Sequence, residues 1–325
     1  MRVFLLHEDR DFDPSPGWPE GEAALERDLE LPVIWNAMAG GDPFVYEMAR
    51  KVMFSSLSSD PQTIHYRQAV LKDALENPEE LRRLYALTLE AMELEKKARS
   101  WFYGRSPGAI LSRSLEVLQL YMGLLRKLRE RAKAAAGRFR SPGFCRLFGT
   151  LQEELDEAYL RIVEEDLKGL RFPQGVLLGA RLGKGLKGAG YTLLRPNPDR
   201  RSWLERILGK KPPSYSFQIP PRDEGGARAL SELQDRGIDP VARALAQATD
   251  HILGFFTLLR SELAFYLGCL NLHEQLSRLG EPTCFPQVSP QVELSFRQLY
   301  SLSLALRTEQ RVVGNDLEAP EKTLF

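Results

Sequence analysis

The feature that most constrains this fold is a long apolar repeat between residues 241 and 270. The preceding residues 237–240, Gly-Ile-Asp-Pro, supply a break, an N-cap and a proline at the first helical position. We therefore predict a helix that begins there and runs for roughly 38 residues, about 55 Å. Its apolar positions recur at steps of three or four residues, close to a coiled-coil repeat, and are Val241, Leu245, Ala248, Ile252, Phe255, Leu259, Leu263, Tyr266 and Leu270.

A helix of this length needs partners along its apolar face, and two other helical patterns are the candidates. One covers residues 109–136 and the other 143–169, and each follows a Ser-Pro-Gly break. Earlier in the chain, Asp60-Pro61 and Asn77-Pro78 carry the N-cap and N1 signals of two more helices. Residues 22–57 carry an interrupted helical pattern, and residues 1–20, rich in proline, are predicted to form an irregular surface arm.

The pattern changes between residues 171 and 222. Val176–Leu178 and Tyr191–Leu194 flank a stretch rich in glycine and lysine, and residues 215–219 alternate with period two. These segments predict two or three strands of a small antiparallel β element with a basic loop at 197–213. The predicted fold class is therefore mainly α, a lever of long helices with a small β element at its tip.

Charge is segregated along a chain whose formal net charge is zero. Residues 171–213 hold ten basic side chains against two acidic ones, and residues 123–140 hold seven against one. Residues 150–169 hold seven acidic side chains against two basic ones. Basic blocks on a neutral chain can bind polyanions locally. With three cysteines and no apolar run near the ~20 residues of a membrane span, we expect a reducing cytoplasm and no membrane association.

This order of elements resembles the core (lever) and clamp region of the MutS mismatch-repair family. The first similar stretch runs from Leu29-Glu30-Leu31 to Arg67-Gln68-Ala69-Val70 and Leu81. The second runs from Lys168-Gly169-Leu170 to Gly190-Tyr191-Thr192-Leu193. The third, residues 312–317 (Val-Val-Gly-Asn-Asp-Leu), is similar to the strand that opens the family's ATPase domain.

The resemblance implies an order of domains, and it implies that the ATPase activity belongs to the full-length protein rather than to this chain. It implies an N-terminal arm at 1–20, the outgoing half of the lever at 21–170, a reduced clamp or lever junction at 171–222, a returning lever helix at 223–285 and the start of an ATPase domain at 286–325. This chain would perform no chemistry. The full-length protein is expected to be a homodimeric ATPase that needs ATP and Mg²⁺, and to bind double-stranded or branched DNA in repair or recombination.

Two departures from the family narrow that expectation. The lever begins near residue 20, which leaves no room for the family's mismatch-reading domain with its Phe-x-Glu wedge, so we do not expect mispairs to be read in the usual way. The chain also stops where the next strand of the ATPase domain should begin, so we expect a truncation ahead of the phosphate-binding loop.

Candidate DNA-binding side chains lie in the basic β element and its loop. Lysine and arginine there can contact phosphates without reading sequence, and the candidates are Arg181, Lys184, Lys187, Arg200, Arg201, Lys210 and Lys211. The alternative is a solvated loop that balances the acidic helix, in a helical scaffold that binds proteins and no DNA. For the nucleotide, the family places an aromatic side chain against adenine where this chain has Val312.

Other motifs give no catalytic or metal residues. Residues 179–185 resemble a P-loop but lack its glycine spacing and the Ser or Thr after Lys184. The Asp9, Asp11, Asp13 series has proline where a calcium loop needs glycine. Cys269 and His273 share a helix face, but with Cys284 they supply only three of the four ligands that zinc usually takes.

Overall fold

A mainly helical fold, as the sequence predicts, contains ten helices and four strands within the residues that are described. The computed structural model describes residues 1–15, 21–56, 60–101, 104, 106–173, 175–184, 188–194, 218–220, 222–288 and 293–320. The helices are α1 Glu22–Asp28, α2 Leu31–Ala39, α3 Pro43–Ser55, α4 Pro61–Glu76, α5 Pro78–Trp101, α6 Pro107–Ala135, α7 Pro142–Glu154, α8 Glu157–Gly169, α9 Glu224–Leu279 and α10 Leu302–Thr308. The strands are β1 Leu178–Leu182, β2 Gly188–Leu193, β3 Glu293–Leu299 and β4 Asn315–Pro320.

Side-chain caps followed by proline fix the starts of three helices. Asp42 accepts a hydrogen bond from the Phe44 amide at the start of α3. Asp60 and Ser141 cap α4 and α7 in the same way. Each cap satisfies a backbone donor that has no partner within its helix, and proline at the next position has no donor to lose. The helix start predicted at Pro61 is therefore confirmed, and the start predicted at residue 143 lies one residue after the observed start at Pro142.

The chain divides into two compact units. Unit 1 comprises residues 1–93, 123–157 and 253–325, and unit 2 comprises residues 94–122 and 158–252. A cluster around Trp35 forms part of the core of unit 1. The Trp35 ring is fully buried and meets the rings of Tyr46 and Phe54 edge to face, with centroids 5.9 and 5.5 Å away.

The part of helix α9 that belongs to unit 1 is buried along its apolar face. In unit 1, Leu259, Leu263, Tyr266 and Leu270 of the predicted seam are buried, and residues 261–264 are buried on every face of the helix. An 18-residue window of α9 reaches a mean hydropathy of 1.4, which by length and composition could cross a membrane, but 56% of that window is buried within the fold. The apolar composition is therefore that of a core helix.

Two predicted helix boundaries are wrong. The helix predicted over 143–169 is two helices, α7 and α8, separated at Leu155 and Asp156. The helix predicted to begin at Pro240 is not separate: it is part of one helix that begins at Glu224, close to the start expected for the returning lever helix, and Pro240 lies inside it. Proline in a helix interior removes one backbone hydrogen bond. Burial of Ile238 and Ala242 on either side supplies apolar packing that compensates for the lost bond.

The four strands form two separate two-stranded antiparallel sheets: β1 and β2 form a hairpin, and β3 pairs with β4 across the intervening helix α10. In the first, Leu178 faces Leu193, with a bulge between Gly179 and Arg181. This is the small β element that the sequence predicts. In the second, β3 pairs with β4 in the segment predicted to open the ATPase domain. Of the predicted third strand, residues 215–217 lie outside the described residues, and residues 218–220 form no strand.

The N-terminal segment is irregular, as predicted, but it is not a surface arm. Val3, Leu5 and Leu6 are fully buried, and Phe12 is 5% exposed. The carboxylate of Glu262 in α9 accepts three backbone N–H groups of this segment. An apolar segment without helix or strand must find partners for its backbone elsewhere, and here a side chain of a distant helix supplies them.

Further side chains of unit 1 bind the carbonyl groups of the same segment. The hydroxyl of Tyr266 donates to the Leu5 carbonyl over 2.6 Å, and Arg67 Nε donates to the Leu6 carbonyl over 2.8 Å. The Tyr66 hydroxyl donates to Phe4, and Arg146 donates to Glu8. Residues 3–12 are therefore held like a peptide in a groove formed by α4, α7 and α9.

Candidate functional site

Four of the seven basic side chains in residues 123–140 lie against carboxylates of unit 1. Arg126 and Arg129 both approach Glu157, at 3.2 and 3.8 Å, and Lys127 Nζ lies 2.7 Å from Glu90. A further residue of this run, Arg138, lies 3.1 Å from a carboxylate oxygen of Glu80 that is almost completely buried. The acidic start of α8 therefore balances α6. This pairing leaves less positive charge on α6 for a polyanion.

The hairpin of β1 and β2 in unit 2 carries the two described members of the predicted DNA-binding set. Arg181 lies in β1 and Lys184 just after it, and both are exposed. Neither forms an ion pair with any residue that the structure describes. The other members, Lys187, Arg200, Arg201, Lys210 and Lys211, lie outside the described residues.

Unit 2 also contains an apolar cavity of about 520 Å³. Leu170, Phe172 and Leu194 contribute to its wall, and so do the carboxyl-bearing residues Glu165 and Asp166. Its described lining includes no basic side chain. A cavity with this chemistry does not suit a phosphate group, so the candidate polyanion surface of unit 2 is the hairpin.

Val312 lines a cavity of about 430 Å³ in unit 1. The walls come from three places that are distant in sequence, namely the residues after α9, the end of β3 and the loop before β4. The aromatic ring of this cavity is Tyr300, which the sequence analysis missed because it lies 12 residues before Val312. The lining residues are Glu281, Pro282, Gln298, Tyr300, Arg311, Val312, Val313 and Gly314.

Hydrogen bonds hold two walls of this cavity to the residues that follow α9. The backbone N–H of Val312 donates to Glu281 Oε1 over 2.6 Å, and the Tyr300 hydroxyl donates to the Pro282 carbonyl over 3.1 Å. Burial raises the pKa of the Tyr300 hydroxyl, and the charge of Glu281 raises it further. The phenol therefore stays a neutral hydrogen-bond donor around pH 7. The cavity offers a planar ring, a guanidinium at Arg311 and an amide at Gln298.

The three cysteines do not form a metal site within the described residues. Burial raises the pKa of the Cys269 thiol to about 12, so it stays protonated, whereas Cys145 and Cys284 are exposed. His273 Nδ1 lies 3.3 Å from the Thr283 hydroxyl. Among the described residues, no three side chains of His, Cys, Asp or Glu come together as metal ligands. In the acidic N-terminal series, Asp11 binds the amides of Val3 and Phe4.

A 56-residue helix, nine further helices and two small antiparallel sheets within the described residues define a mainly helical protein. Comparison with known protein families matches residues 59–279 to the MutS2 N-terminal domain. The chain belongs to this family, and the predicted MutS relationship is confirmed. Searches of curated proteins and of solved structures find no match.

The family match covers α4 to α9 completely, including the β1–β2 hairpin. The match does not cover the N-terminal segment, helices α1 to α3, the β3–β4 sheet or the cavity lined by Val312. The basic hairpin therefore lies within the matched region, whereas Val312 lies beyond it.

Proposed function

We propose that this chain is the non-catalytic DNA-binding and coupling portion of a MutS2-type ATPase. The β1–β2 hairpin contacts DNA phosphates. Helix α9, which contributes residues to both units, links that element to the nucleotide-dependent part of the protein. The chain performs no chemistry itself, and the full-length protein is a cytoplasmic homodimer that hydrolyses ATP with Mg²⁺ in DNA repair or recombination.

A contrast between two basic segments supports DNA binding at the hairpin. On α6, the basic side chains Arg126, Lys127 and Arg129 lie against carboxylates. On the hairpin, Arg181 and Lys184 are exposed and have no described acidic partner. Phosphate contacts gain affinity by releasing counterions from DNA, and a cation already paired within the protein gains less. Arg181 and Lys184 therefore offer DNA two cations that no described carboxylate neutralises, whereas Arg126, Lys127 and Arg129 offer less.

The nucleotide part of the proposal depends on the cavity at Val312. A planar ring, Tyr300, lines it beside Val312, where the family places an aromatic against adenine. We propose that the adenine of ATP binds in this cavity, while the phosphates and Mg²⁺ are held by a nucleotide-binding motor in the full-length protein.

DNA binding is tested by changing the charge of the hairpin. The affinity for duplex and branched DNA is measured for the 325-residue chain over a salt series. The variant R181E/K184E should bind about tenfold more weakly near ~100 mM salt. The slope of log affinity against log salt should fall by about 2, because each lost phosphate contact removes about 0.9. A larger variant adds Lys187→Glu, Arg200→Glu and Arg201→Glu.

The matched control is Arg297→Glu. Arg297 is a strongly exposed residue of β3 in unit 1, so the change reverses one surface charge on a strand outside the β1–β2 hairpin. It should leave the salt slope within experimental error. An unchanged slope in the five-residue variant refutes the proposed DNA surface.

A helical scaffold that binds protein partners is the second candidate. One observation favours it, namely that Leu230 and Leu233, one turn apart on α9, are 43% and 36% exposed. Exposed apolar pairs on a helix are typical of protein interfaces. Leu230→Ser/Leu233→Ser should then shift the oligomeric state seen by sedimentation and leave DNA binding unchanged.

A further inference from the structure

The residue that follows the C-terminal end of α9 is held in a fixed position. Gly280 adopts a left-handed conformation with φ +74°. Its N–H donates to the Ser277 carbonyl, and the N–H of Glu281 donates to the Leu276 carbonyl over 3.0 Å. These bonds are those of the Schellman motif, which ties the residues after a helix to its last turn. The position of the Glu281 backbone is therefore set by α9.

The side chain of Glu281 extends this link to the cavity. Glu281 is only 6% exposed, and its carboxylate accepts the Val312 N–H over 2.6 Å. A hydrogen bond to a carboxylate is stronger than one between neutral groups. A buried carboxylate is also costly to leave without its donor. The loop that carries Val312 cannot move far from α9 without breaking this bond.

The last turns of α9 are themselves anchored in unit 1. Arg82 of α5 donates to both oxygens of Glu274, over 2.9 and 2.8 Å. Asn271 and Gln275 donate to carbonyl groups of α2, over 2.8 and 2.9 Å. A displacement at Glu281 is therefore transmitted to a helix end that is bound to α2 and α5, and is not absorbed by a free terminus.

We propose that Glu281 is a positioning residue that couples occupancy of the Val312 cavity to the C-terminal end of α9. The inference rests on the proposed function for the occupant, which is an adenine nucleotide. A ligand that orders the Val312 loop also orders the turn at Gly280, because one carboxylate connects them. The coupling is reciprocal: the factor by which the ligand stabilises the ordered turn at Gly280 is the factor by which ordering that turn raises the affinity for the ligand.

The experiment uses the 325-residue chain with adenosine as the probe and cytidine as the control nucleoside. Backbone hydrogen exchange is followed by NMR at residues 311–314 and at residues 276–281. In the unmodified chain, adenosine should slow exchange at both places. In Glu281→Ala without ligand, the Val312 amide should exchange about tenfold faster or more, because its acceptor is lost. Adenosine should still bind, but it should slow exchange only at residues 311–314.

Two further variants separate coupling from folding. Glu281→Gln keeps a neutral acceptor of the same shape, so it should retain the fold and show reduced coupling even if Glu281→Ala does not fold. Glu318→Ala removes an exposed carboxylate from β4 and should behave like the unmodified chain.

Each outcome has a distinct meaning. If adenosine binds to the Glu281 variants and slows exchange at residues 276–281 as much as it does in the unmodified chain, the coupling role of Glu281 is refuted. The proposed nucleotide cavity is then still supported. If adenosine slows exchange only at 311–314 in the unmodified chain, the coupling is likewise refuted. If adenosine slows neither region, the proposed nucleotide cavity is refuted, and the coupling with it.

Discussion

Glu262 offers a sharp test of how this fold balances burial against hydrogen bonding. Oε2 of its carboxylate accepts hydrogen bonds from the backbone N–H groups of Leu5 and Leu6, over 2.6 and 3.0 Å. Oε1 accepts one from the backbone N–H of Phe12 over 2.8 Å. Burial raises the pKa of Glu262 to about 7 from 4.5, against the three hydrogen bonds, which lower it, and the charge of Asp11 raises it further. The perturbation is Glu262→Gln, which replaces the carboxyl group by a neutral group of the same shape.

The sign follows from proton binding. Between pH 4.5 and about 7 the folded state binds a proton at Glu262 that the unfolded state has lost. The free energy of unfolding must therefore fall as the pH rises through this window. The rise in pKa corresponds to a contribution of about 3 kcal/mol, present in full below the unfolded pKa and lost above the folded one.

The glutamine variant resembles the protonated carboxyl group at every pH. Its amide oxygen can accept the hydrogen bonds of the Leu5 and Leu6 amides, but its amide nitrogen is a donor and leaves the Phe12 N–H without the acceptor that a protonated carboxyl oxygen still offers. We expect the variant to be less stable than the unmodified chain by about 1 to 3 kcal/mol near pH 4.5. Between about pH 4.5 and 8 the variant should gain about 3 kcal/mol relative to the unmodified chain, because it buries no charge.

The assay is urea unfolding of both chains at intervals between pH 4.5 and 8.5. The difference between the two curves isolates Glu262 from other titrating groups, including His7. Burial and the nearby charge of Arg67 lower the pKa of His7 to about 4, which gives pH dependence of the opposite sign in the same window. Glu318→Gln, at an exposed carboxylate, is the control and should run parallel to the unmodified chain. A variant that loses stability relative to the unmodified chain as the pH rises would refute the reasoning.

Three further predictions concern the core, the long helix and the thiols. Trp35→Ala should lower the free energy of unfolding by about 4 kcal/mol in urea titrations, because it empties a fully buried site, and Trp35→Phe should cost clearly less. Pro240→Ala should raise the free energy of unfolding by about 2 kcal/mol, seen as a higher thermal midpoint, because it restores a helix hydrogen bond. Ala244→Pro, one turn further along α9, should lower the free energy of unfolding by about 3 kcal/mol. Equal effects of the two changes would contradict an intact helix at Pro240. In the native chain at about pH 8, a disulfide reagent should modify Cys145 and Cys284 rapidly, because they are exposed. It should modify Cys269 slowly, because burial shields this thiol and raises its pKa to about 12; three equally fast thiols would contradict this.

The sequence predicts the local elements of this fold better than their contacts. Proline caps mark the starts of α4 and α7 correctly because the signal lies within four residues. The helix break predicted at Pro240 is wrong because burial around that residue outweighs the local signal. The burial of the N-terminal segment is missed because its partners lie far away along the chain. One local signal was present: a carboxyl group at residue 262, among the apolar positions of α9, indicates that a polar partner must pack there.

The candidate sites divide in the same way. Arg181 and Lys184 lie in the predicted β element, since alternation and composition reveal a basic hairpin. The pairing of α6 with carboxylates is not visible in sequence, because Lys127 and its partner Glu90 are 37 residues apart. The Val312 cavity is assembled from segments that only the fold brings together, so Tyr300 and Glu281 carry no local signal.

The hold of Glu262 on the N-terminal segment also fixes an order of events during synthesis. Leu5 is made before its partner in α9, which follows 257 residues later. At roughly 5 to 20 residues per second, the ribosome needs about 10 to 50 s to supply that partner. For that interval Val3, Leu5, Leu6 and Phe12 have no finished groove to enter. Residues 3–12 therefore reach their native place only after this part of α9 has been made, and their apolar side chains remain exposed on the nascent protein until then.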